Sequence, residues 1–295
     1  MRSGWAAFPM PVPPVTSEAF ANGVEKIARF RGQTIVVKLG GSAMEDPAAT
    51  DSCLRSIAVL QRLGVRVALV HGGGKLIDRA MAKVGLTPKK VAGRRYTDDA
   101  TLAIVVEVLC DTAANLYARL KQLGGDGFPM ESSLIGERLM ISGLDLQPID
   151  LGHVGTVTKV REGNLIEMFD NGLIPIVPSL ARDESGGWLN INADTAASAI
   201  AGELQADKAI FLTDTPGVLR DRDDPKSLLP KLSEAECRAL IASGAIAGGM
   251  IPKVEACFEA LAAGAKSALI LDGREPFSLL DVFLLDSFSG TEITK

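Results

Sequence analysis

The feature that most constrains this chain is the placement of glycines directly after short apolar runs. TIVVKL is followed by Gly40 and Gly41, and VRVALVH is followed by Gly72, Gly73 and Gly74. Apolar, β-branched runs that alternate with segments of helical spacing predict buried parallel strands joined by helices. In open sheets of this kind, ligands bind beyond the carboxyl ends of the strands. Because both glycine clusters fall at such ends, the pattern predicts an α/β fold and also the place of its ligand site.

The same alternation continues along most of the chain. Residues 124–160 contain frequent turn signals and predict short strands, and Ser17 is the predicted N-cap of the first helix. Helical spacing is found at 17–29, 51–63, 75–84, 100–123, 193–204, 233–243 and 251–263, and apolar strands at 34–41, 65–74, 173–178, 208–212 and 267–271. This order predicts a mostly parallel sheet that is covered by helices on both faces.

Composition excludes several classes of function. The net charge of -5 over 295 residues offers no basic surface for nucleic acid. We find no apolar run of about 18 residues, so we expect no membrane helix. Residues 1–16 contain several prolines and predict a disordered leader rather than a signal peptide. Four scattered cysteines and two histidines predict buried free thiols, a cytoplasmic protein and no metal site built from side chains.

A lysine stands beside the first glycine cluster. Backbone N–H groups at Gly40 and Gly41 can contact a phosphate, and the Lys38 ammonium can reach its oxygens. Taken alone, Lys38 is equally typical of an exposed lysine beside a tight turn. The second cluster, with Gly73 and Gly74, is costly in backbone entropy and favours contact with a ligand, although a flexible turn has the same composition.

Four further segments carry polar groups at predicted strand or helix ends. Arg95 suits bidentate capture of a carboxylate, although a surface arginine pair with Arg94 is the plainer interpretation. Asp194, which follows Asn190 in NINAD, is equally typical of a helix cap. The last two segments are glycine turns, LTDTPGVL with Thr213, Asp214 and Gly217, and GGMIPK with Met250, Ile251 and Lys253.

Other nucleotide and hydrolase signatures are missing. The chain has no GxxxxGK[ST] phosphate loop, no GxGxxG with an acidic ribose ligand, no GxSxG elbow and no protein-kinase motifs. P-loop and Rossmann mechanisms are therefore unsupported.

Taken together, the motifs resemble the amino acid kinase family, and within it the branch that acts on N-acetylglutamate. The resemblance runs from about Thr34 to Ile270. It is carried by VVKLGGS, HGGG, GxRxTD, DLGxVGxV, NxNAD, LTDxxGVL and GGMxPKV.

The resemblance implies a three-layer αβα sandwich in two lobes. Residues 34–206 would form the lobe for the acidic substrate and phosphoryl transfer, and 207–295 the nucleotide lobe. Residues 17–33 would form an N-terminal helix, and the segment from Phe20 to Val37 resembles a helix that links dimers in hexameric members, so we expect a homo-oligomer. The implied substrates are small molecules: ATP, whose phosphates would carry Mg2+, and N-acetyl-L-glutamate, which would become N-acetyl-L-glutamyl 5-phosphate in arginine biosynthesis.

The resemblance also implies a role for each motif residue. Lys38 and Lys253 would flank the transferred phosphoryl, and Asp194 would orient both lysines. The attacking carboxylate is already ionised at neutral pH, so no general base is required. The acid would be bound by Gly73, Gly74, Arg95 and Asn190, and the nucleotide with its phosphates by Gly40, Gly41, Thr213, Asp214, Gly217, Met250 and Ile251.

Several positions depart from the family pattern. Arg94 replaces an apolar residue, and Gly127–Met130 stands where a GlSGKDG segment is usual. Phe277 and Val282 occupy the histidine and acidic positions linked to inhibition by arginine, so we expect weak or absent inhibition. Two alternatives remain open: a kinase for a related acylated or carrier-bound acidic amino acid, or a non-catalytic sensor.

Overall fold

The computed structural model describes residues 16–91, 93–142 and 148–295. Apart from Thr16, the predicted leader lies outside them. The described helices are α1 (Ser17–Ala28), α2 (Pro47–Arg62), α3 (Gly74–Lys83), α4 (Asp99–Gln122), α5 (Glu162–Asp170), α6 (Ala193–Glu203), α7 (Glu234–Ala242), α8 (Ile251–Ala263) and α9 (Ser278–Leu284). The described strands are β1 (Thr34–Leu39), β2 (Arg66–His71), β3 (Lys90–Val91), β4 (Arg94–Arg95), β5 (Gly127–Pro129), β6 (Leu134–Arg138), β7 (Ile141–Ser142), β8 (Pro148–Ile149), β9 (Val154–Val160), β10 (Ile174–Pro178), β11 (Leu180–Arg182), β12 (Trp188–Ile191), β13 (Lys208–Thr213), β14 (Lys231–Ser233), β15 (Ala268–Asp272) and β16 (Gly290–Thr294).

One large sheet organises the molecule. Its eight strands lie in the order β14-β16-β15-β13-β1-β2-β10-β5. β1 pairs in parallel with both β13 and β2, and β10 pairs in parallel with β2 and β5. β16 is antiparallel to β15. The prediction of a mostly parallel sheet is confirmed, and the short strands predicted within 124–160 are β5 to β9.

The central strands bury side chains on both faces. From β1, Ile35 and Val37 join a core cluster with α2, α4 and α9, whereas Val36 joins a second cluster with α5, α6 and α8. Successive side chains of a strand point to opposite faces, so these clusters lie on the two sides of the sheet. The three-layer αβα sandwich is therefore confirmed.

The sheet brings the predicted motifs to one edge. Lys38 pairs with Val70 of β2 on one side and with Phe211 of β13 on the other, and Leu39 pairs with His71. The segments that follow β1, β2 and β13 therefore leave the sheet side by side. The division into two lobes at 206/207 falls between α6 and β13, and it stays a prediction.

The N-cap of the first helix lies one residue earlier than predicted. The hydroxyl of Thr16 accepts a hydrogen bond from the Ala19 N–H at 3.1 Å, so Thr16 rather than Ser17 is the N-cap. Ser17 is the first helical residue. Thr and Ser both cap well, and the sequence alone does not separate neighbours of this kind.

By length and composition alone, α4 is long and apolar enough to cross a membrane. In the structure it packs against α3, β5 and β10. Val105, Leu109 and Leu120 on this helix are fully buried. Apolar core helices meet the same criterion, so the composition of α4 carries no argument for a membrane.

The cysteines are mostly enclosed in the core. Cys53, Cys237 and Cys257 are buried and Cys110 is half-buried. Burial raises the pKa of the Cys53 thiol to about 12. A thiol that stays protonated is a poor nucleophile, so these residues pack as small apolar groups.

Candidate active site

A cavity of about 300 Å³ opens beyond the carboxyl ends of β1 and β2. It lies between the glycine segments that follow these strands, the β3–β4 hairpin and the start of α6. The predicted site residues along its wall are Lys38, Gly40, Gly41, Gly73, Gly74, Arg95, Asn190 and Asp194. The structure therefore brings into one cavity groups that are spread over more than 150 residues of the sequence.

Lys38 and Asp194 form an ion pair in this cavity. The Lys38 Nζ lies 2.8 Å from Asp194 Oδ1, and the lysine side chain is only 14% exposed. The alternative role of Asp194 as a helix cap is taken by its neighbour: the Asn192 side chain accepts hydrogen bonds from the N–H groups of Asp194 and Thr195. The Asp194 carboxylate is therefore free to orient the lysine.

Two of the glycines are required by close approach. A Cβ atom on Gly40 would lie 2.9 Å from the Lys38 Nζ, and a Cβ on Gly73 would lie 2.8 Å from Leu109 Cδ2. A larger residue at position 40 would displace the ammonium, and one at position 73 would displace the end of the Leu109 side chain. These contacts favour glycine at both positions.

Arg95 lies in the wall of the cavity and is held from one side. Its guanidinium forms an ion pair with Asp78 of α3 and donates to the Gly74 carbonyl at 2.9 Å. The side chain is 11% exposed. A guanidinium has five N–H donors, so Arg95 keeps donors for a ligand. Arg94 also lines the cavity, which adds a second positive group.

Asn190 presents its amide from β12. Its Nδ2 donates to Thr97 Oγ1 at 3.1 Å, and the backbone N–H of Asn190 donates to the His153 carbonyl at 2.8 Å. Thr97 is fully buried and fixes the amide in place. The amide oxygen remains available as an acceptor for a donor such as an acetamido N–H.

A second cavity, of about 400 Å³, lies beyond the end of β13. Asp214, Gly217, Met250 and Lys253 line it, as expected for a nucleotide site.

Two residues predicted for the nucleotide site are absent from the wall of this second cavity. Thr213 is buried behind the wall, where its hydroxyl lies 3.1 Å from the Thr215 carbonyl. Ile251 packs against the core cluster beneath α8. Both side chains lie behind the wall, next to the residues that line it, and their assignment to the nucleotide site stays a prediction.

Lys253 has a different partner from the one expected. Its Nζ lies 2.7 Å from Asp214 Oδ1, and this hydrogen bond holds the pKa of the Asp214 carboxyl below its usual value. Asp194 therefore holds Lys38, whereas Asp214 holds Lys253. The physical reason is that Lys253 lies in the first turn of α8, where the helix dipole disfavours a cation and a carboxylate partner offsets that repulsion.

Ser198 links the two helices that carry Asp194 and Lys253. Its buried hydroxyl lies 2.9 Å from the Asp194 carbonyl within α6 and 2.9 Å from the Ala256 carbonyl of α8. Sequence reasoning missed Ser198 and Asp78, and it named Asn192 and Thr97 only as members of the NxNAD and GxRxTD motifs. NxNAD contains a signal for the cap at Asn192, whereas the others depend on contacts between distant segments.

Within residues 16–91, 93–142 and 148–295, no three carboxylate, histidine or cysteine side chains come together closely enough to hold a metal ion.

Fold and site together define a phosphotransferase of the amino acid kinase type. The model of the amino acid kinase family matches residues 33–272, and the chain belongs to this family. It is 41% identical over 271 residues to the acetylglutamate kinase of Trichodesmium erythraeum, covering 90% of this chain and 91% of that protein. It is 39% identical over 280 residues to the acetylglutamate kinase of Synechococcus sp. strain RCC307, covering 94% and 93%.

A solved structure supports the same fold. The N-acetylglutamate synthase of Neisseria gonorrhoeae, complexed with coenzyme A and N-acetyl-glutamate, superposes with a TM-score of 0.80 at 26% identity. The match covers 94% of this chain and 63% of the synthase, so this chain spans less than two thirds of that protein.

Proposed function

We propose that the chain transfers the γ-phosphoryl of ATP to the side-chain carboxylate of N-acetyl-L-glutamate, in arginine biosynthesis. A carboxylate oxygen forms the new bond to the γ-phosphorus, the bond from that phosphorus to the β–γ bridging oxygen breaks, and ADP leaves. The observation that carries this proposal is the Lys38–Asp194 pair beside Gly40 and Gly73, in one cavity with Arg95. Extensive identity to two acetylglutamate kinases supports the choice of acid.

The transfer needs charge neutralisation more than covalent help. The Lys38 ammonium, held by Asp194, faces one side of the transferred group, and Lys253 approaches from the nucleotide cavity. Lys253 reaches the phosphoryl by exchanging its contact with Asp214 for the phosphate oxygens. The backbone N–H groups of Gly40, Gly41, Gly73 and Gly74 supply further donors that are already in place.

The acid is recognised through its ends. Arg95 binds the α-carboxylate, and Asn190 hydrogen-bonds the acetamido group from the opposite side of the cavity. The nucleotide lies in the larger cavity along Asp214, Gly217 and Met250. Mg2+ suits this site as a companion of the ATP phosphates, because such ions keep several waters and use few protein ligands.

Trapping of the product tests the proposal. An acyl phosphate reacts with hydroxylamine to give a hydroxamate, whereas ADP release alone does not separate transfer from ATP hydrolysis. We expect hydroxamate from purified protein with MgATP and N-acetyl-L-glutamate. The same assay is run with a panel of three other acids, N-acetyl-L-aspartate, N-acetyl-L-2-aminoadipate and free glutamate, which differ from N-acetyl-L-glutamate in length or lack the acetyl group.

The panel separates the alternatives. A kcat/KM that is greater with N-acetyl-L-2-aminoadipate than with N-acetyl-L-glutamate would identify the chain as a kinase for the related acid. Nucleotide binding with no hydroxamate from any acid would favour the sensor and overturn the proposed chemistry.

The oligomeric state is part of the proposal. α1 packs on α9, and a cavity of about 450 Å³ between them has a mainly apolar wall, including Phe20 and Leu284. We propose that α1 links subunits in a homo-oligomer. Light scattering of the full chain and of a variant that lacks residues 1–29 tests this role. The same number of subunits in both assemblies would contradict it.

A further inference from the structure

His71 is a fully buried histidine at the end of β2. Its Nδ1 lies 3.1 Å from the Gly72 carbonyl oxygen. A carbonyl only accepts, so Nδ1 carries the proton and Nε2 keeps a bare lone pair. In the described part of the chain, this Nε2 is the one buried side-chain nitrogen or oxygen without a hydrogen-bond partner. Burial lowers the pKa of the ring to about 4, so it is neutral at pH 7.

Stability does not explain a histidine at this position. A buried acceptor without a partner destabilises the folded state, and an apolar side chain of similar size would avoid that cost. What the histidine supplies is a hydrogen bond from its Nδ1–H to the Gly72 carbonyl. This hydrogen bond fixes the orientation of the peptide unit that contains the carbonyl.

The held peptide unit joins Gly72 to Gly73. The described chain contains no cis peptide bond, and in a trans peptide the C=O and the N–H point in opposite directions. Since the Gly72 carbonyl oxygen lies at the buried His71 ring, the Gly73 N–H points away from this ring, and Gly73 itself lines the cavity. No hydrogen bond recorded among residues 16–91, 93–142 and 148–295 uses this N–H.

The neighbouring peptide groups are all engaged. The His71 carbonyl accepts from the Ser179 N–H at 3.0 Å, and the Gly72 N–H donates to the Leu39 carbonyl at 3.4 Å. The Gly73 carbonyl accepts from the Ile77 N–H at 2.8 Å, as the first bond of α3. Without His71, the peptide between the two glycines would be the one free to rotate, because glycine allows nearly all backbone angles.

We propose that His71 is a positioning residue for phosphoryl transfer, whose Nδ1–H holds the Gly72 carbonyl so that the Gly73 N–H stays directed at the reacting oxygens. The inference rests on the proposed function. A donor fixed before the reaction stabilises the developing charge without reorganisation, whereas a donor on a rotating glycine peptide loses that advantage. His71 does not touch the substrate and transfers no proton.

Three substitutions separate this role from packing. In His71→Asn the amide nitrogen can take the place of Nδ1, whereas in His71→Gln the amide group falls near the place of Nε2. His71→Leu has similar volume and neither group. We expect kcat to fall about 10- to 100-fold in the Gln and Leu variants and less than about fivefold in the Asn variant. KM for the acid should change little, and the Tm of the Leu variant should equal or exceed that of wild type.

Several results would contradict a positioning role for His71. Gln or Leu variants with wild-type kcat, or a Gln variant more active than the Asn variant, would overturn the role of the Nδ1–H. Activity that simply follows Tm across the three variants would assign His71 to packing. A wild type that gives no hydroxamate overturns the proposed function and the transfer role with it, whereas an active wild type leaves the comparison of variants to decide on His71 alone.

The tautomer can be read without any variant activity. Long-range 1H–15N NMR of protein labelled at histidine resolves the two histidines of the chain, with His71→Gln as the assignment control. We expect a neutral ring protonated at Nδ1 from pH 8 to pH 5. A ring protonated at Nε2 would remove the hydrogen bond to Gly72 and overturn the inference, even if every variant were inactive.

Discussion

The ammonium groups of Lys38 and Lys253 are each held by one carboxylate, at 2.8 Å from Asp194 and 2.7 Å from Asp214. Both lysines line a cavity, with side chains that are 14% and 21% exposed, so their truncation leaves the apolar core intact. Lys38→Ala and Lys253→Ala should therefore fold and lose about 100-fold or more in kcat, because the transferred phosphoryl loses a fixed positive charge. Hydroxamate formation at saturating substrates measures the loss.

Lys266→Ala is the matched control for this pair. Lys266 also forms an ion pair, 2.6 Å from Asp207, but it precedes β15 and lies at the amino ends of the strands, away from both cavities. The kcat of Lys266→Ala should stay near that of wild type. Retention of activity within a few-fold in either Lys38→Ala or Lys253→Ala would refute the roles assigned to these lysines.

His71 also predicts a pH dependence of stability. Burial lowers the pKa of its ring from 6.5 to about 4. Between these values the unfolded chain binds the proton more readily, so the free energy of unfolding falls as pH falls from 6.5 toward 4. From pH 7.5 to pH 5 the histidine should account for a loss of about 2 kcal/mol.

Urea unfolding at the two pH values measures this loss. In His71→Asn the loss between pH 7.5 and 5 should be smaller than in wild type by that amount, because the amide does not titrate. Equal losses in both proteins would mean that the folded state protonates His71 as easily as the unfolded chain does.

Among the site residues, the sequence predicted those whose roles follow from local spacing. Lys38, Gly40 and Asp194 stand beside strand or helix ends, and the structure brings them together. Spacing does not show which carboxylate a lysine reaches, so Asp214 as the partner of Lys253 was missed. Thr213 and Ile251 do not line the second cavity, because a strand end and a helix start each present some side chains to the core.

At the scale of elements, the long periodic segments were predictable, whereas several short elements were not. α8 has the predicted bounds, and α4 differs by one residue at each end. Sequence reasoning missed α5, α9 and β16, of nine, seven and five residues. In pieces this short, tertiary packing outweighs the weak local preference.

The packing of α6 on α8 gives a prediction at this scale. A Cβ on Gly202 of α6 would lie 2.2 Å from the Ala263 Cβ of α8, so the helices would have to separate. Gly202→Ala should therefore lower the free energy of unfolding by about 1–3 kcal/mol, despite the better helix propensity of alanine. Because Ser198 ties the same helices near Asp194, we also expect a reduced kcat.

Gly163→Ala is the matched control. Gly163 lies in α5, and a Cβ there would meet nothing within 4 Å. This variant should be neutral or more stable by about 0.5–1 kcal/mol. Chemical unfolding of both variants measures the contrast, and a Gly202→Ala protein as stable as Gly163→Ala would contradict the tight contact.

At the scale of the whole molecule, one sheet carries both the cavity proposed for the acid and the cavity proposed for the nucleotide. β1 leads to the first and β13 to the second, and they are neighbouring parallel strands. Periodicity predicted the strands but gives no strand order. The adjacency of β1 and β13, with 168 intervening residues between Leu39 and Lys208, becomes visible only in the folded sheet.

The surface of α9 leads to the last prediction, which concerns control of the whole enzyme by arginine. Val282 lies in the core beneath α9, and Phe277 precedes this helix with a left-handed backbone angle of 62°. The residues that line the cavity between α1 and α9 include Lys26 and no carboxylate, and the carboxylate beside it, Asp286, lies 3.1 Å from the Lys26 Nζ. A guanidinium is bound chiefly by carboxylates, and a nearby ammonium repels it.

We therefore expect arginine at about 1 mM to change the rate less than about twofold, because the wall of this cavity has no carboxylate and the neighbouring Asp286 is already paired with Lys26. Citrulline, which has the same length and no charge, is the matched control for unspecific effects. The assay titrates both compounds against hydroxamate formation at subsaturating acid, where weak inhibition is easiest to detect. Half-inhibition by arginine at sub-millimolar concentration, with no effect of citrulline, would mean that carboxylates from elsewhere in the assembly complete an arginine site that the single chain does not form.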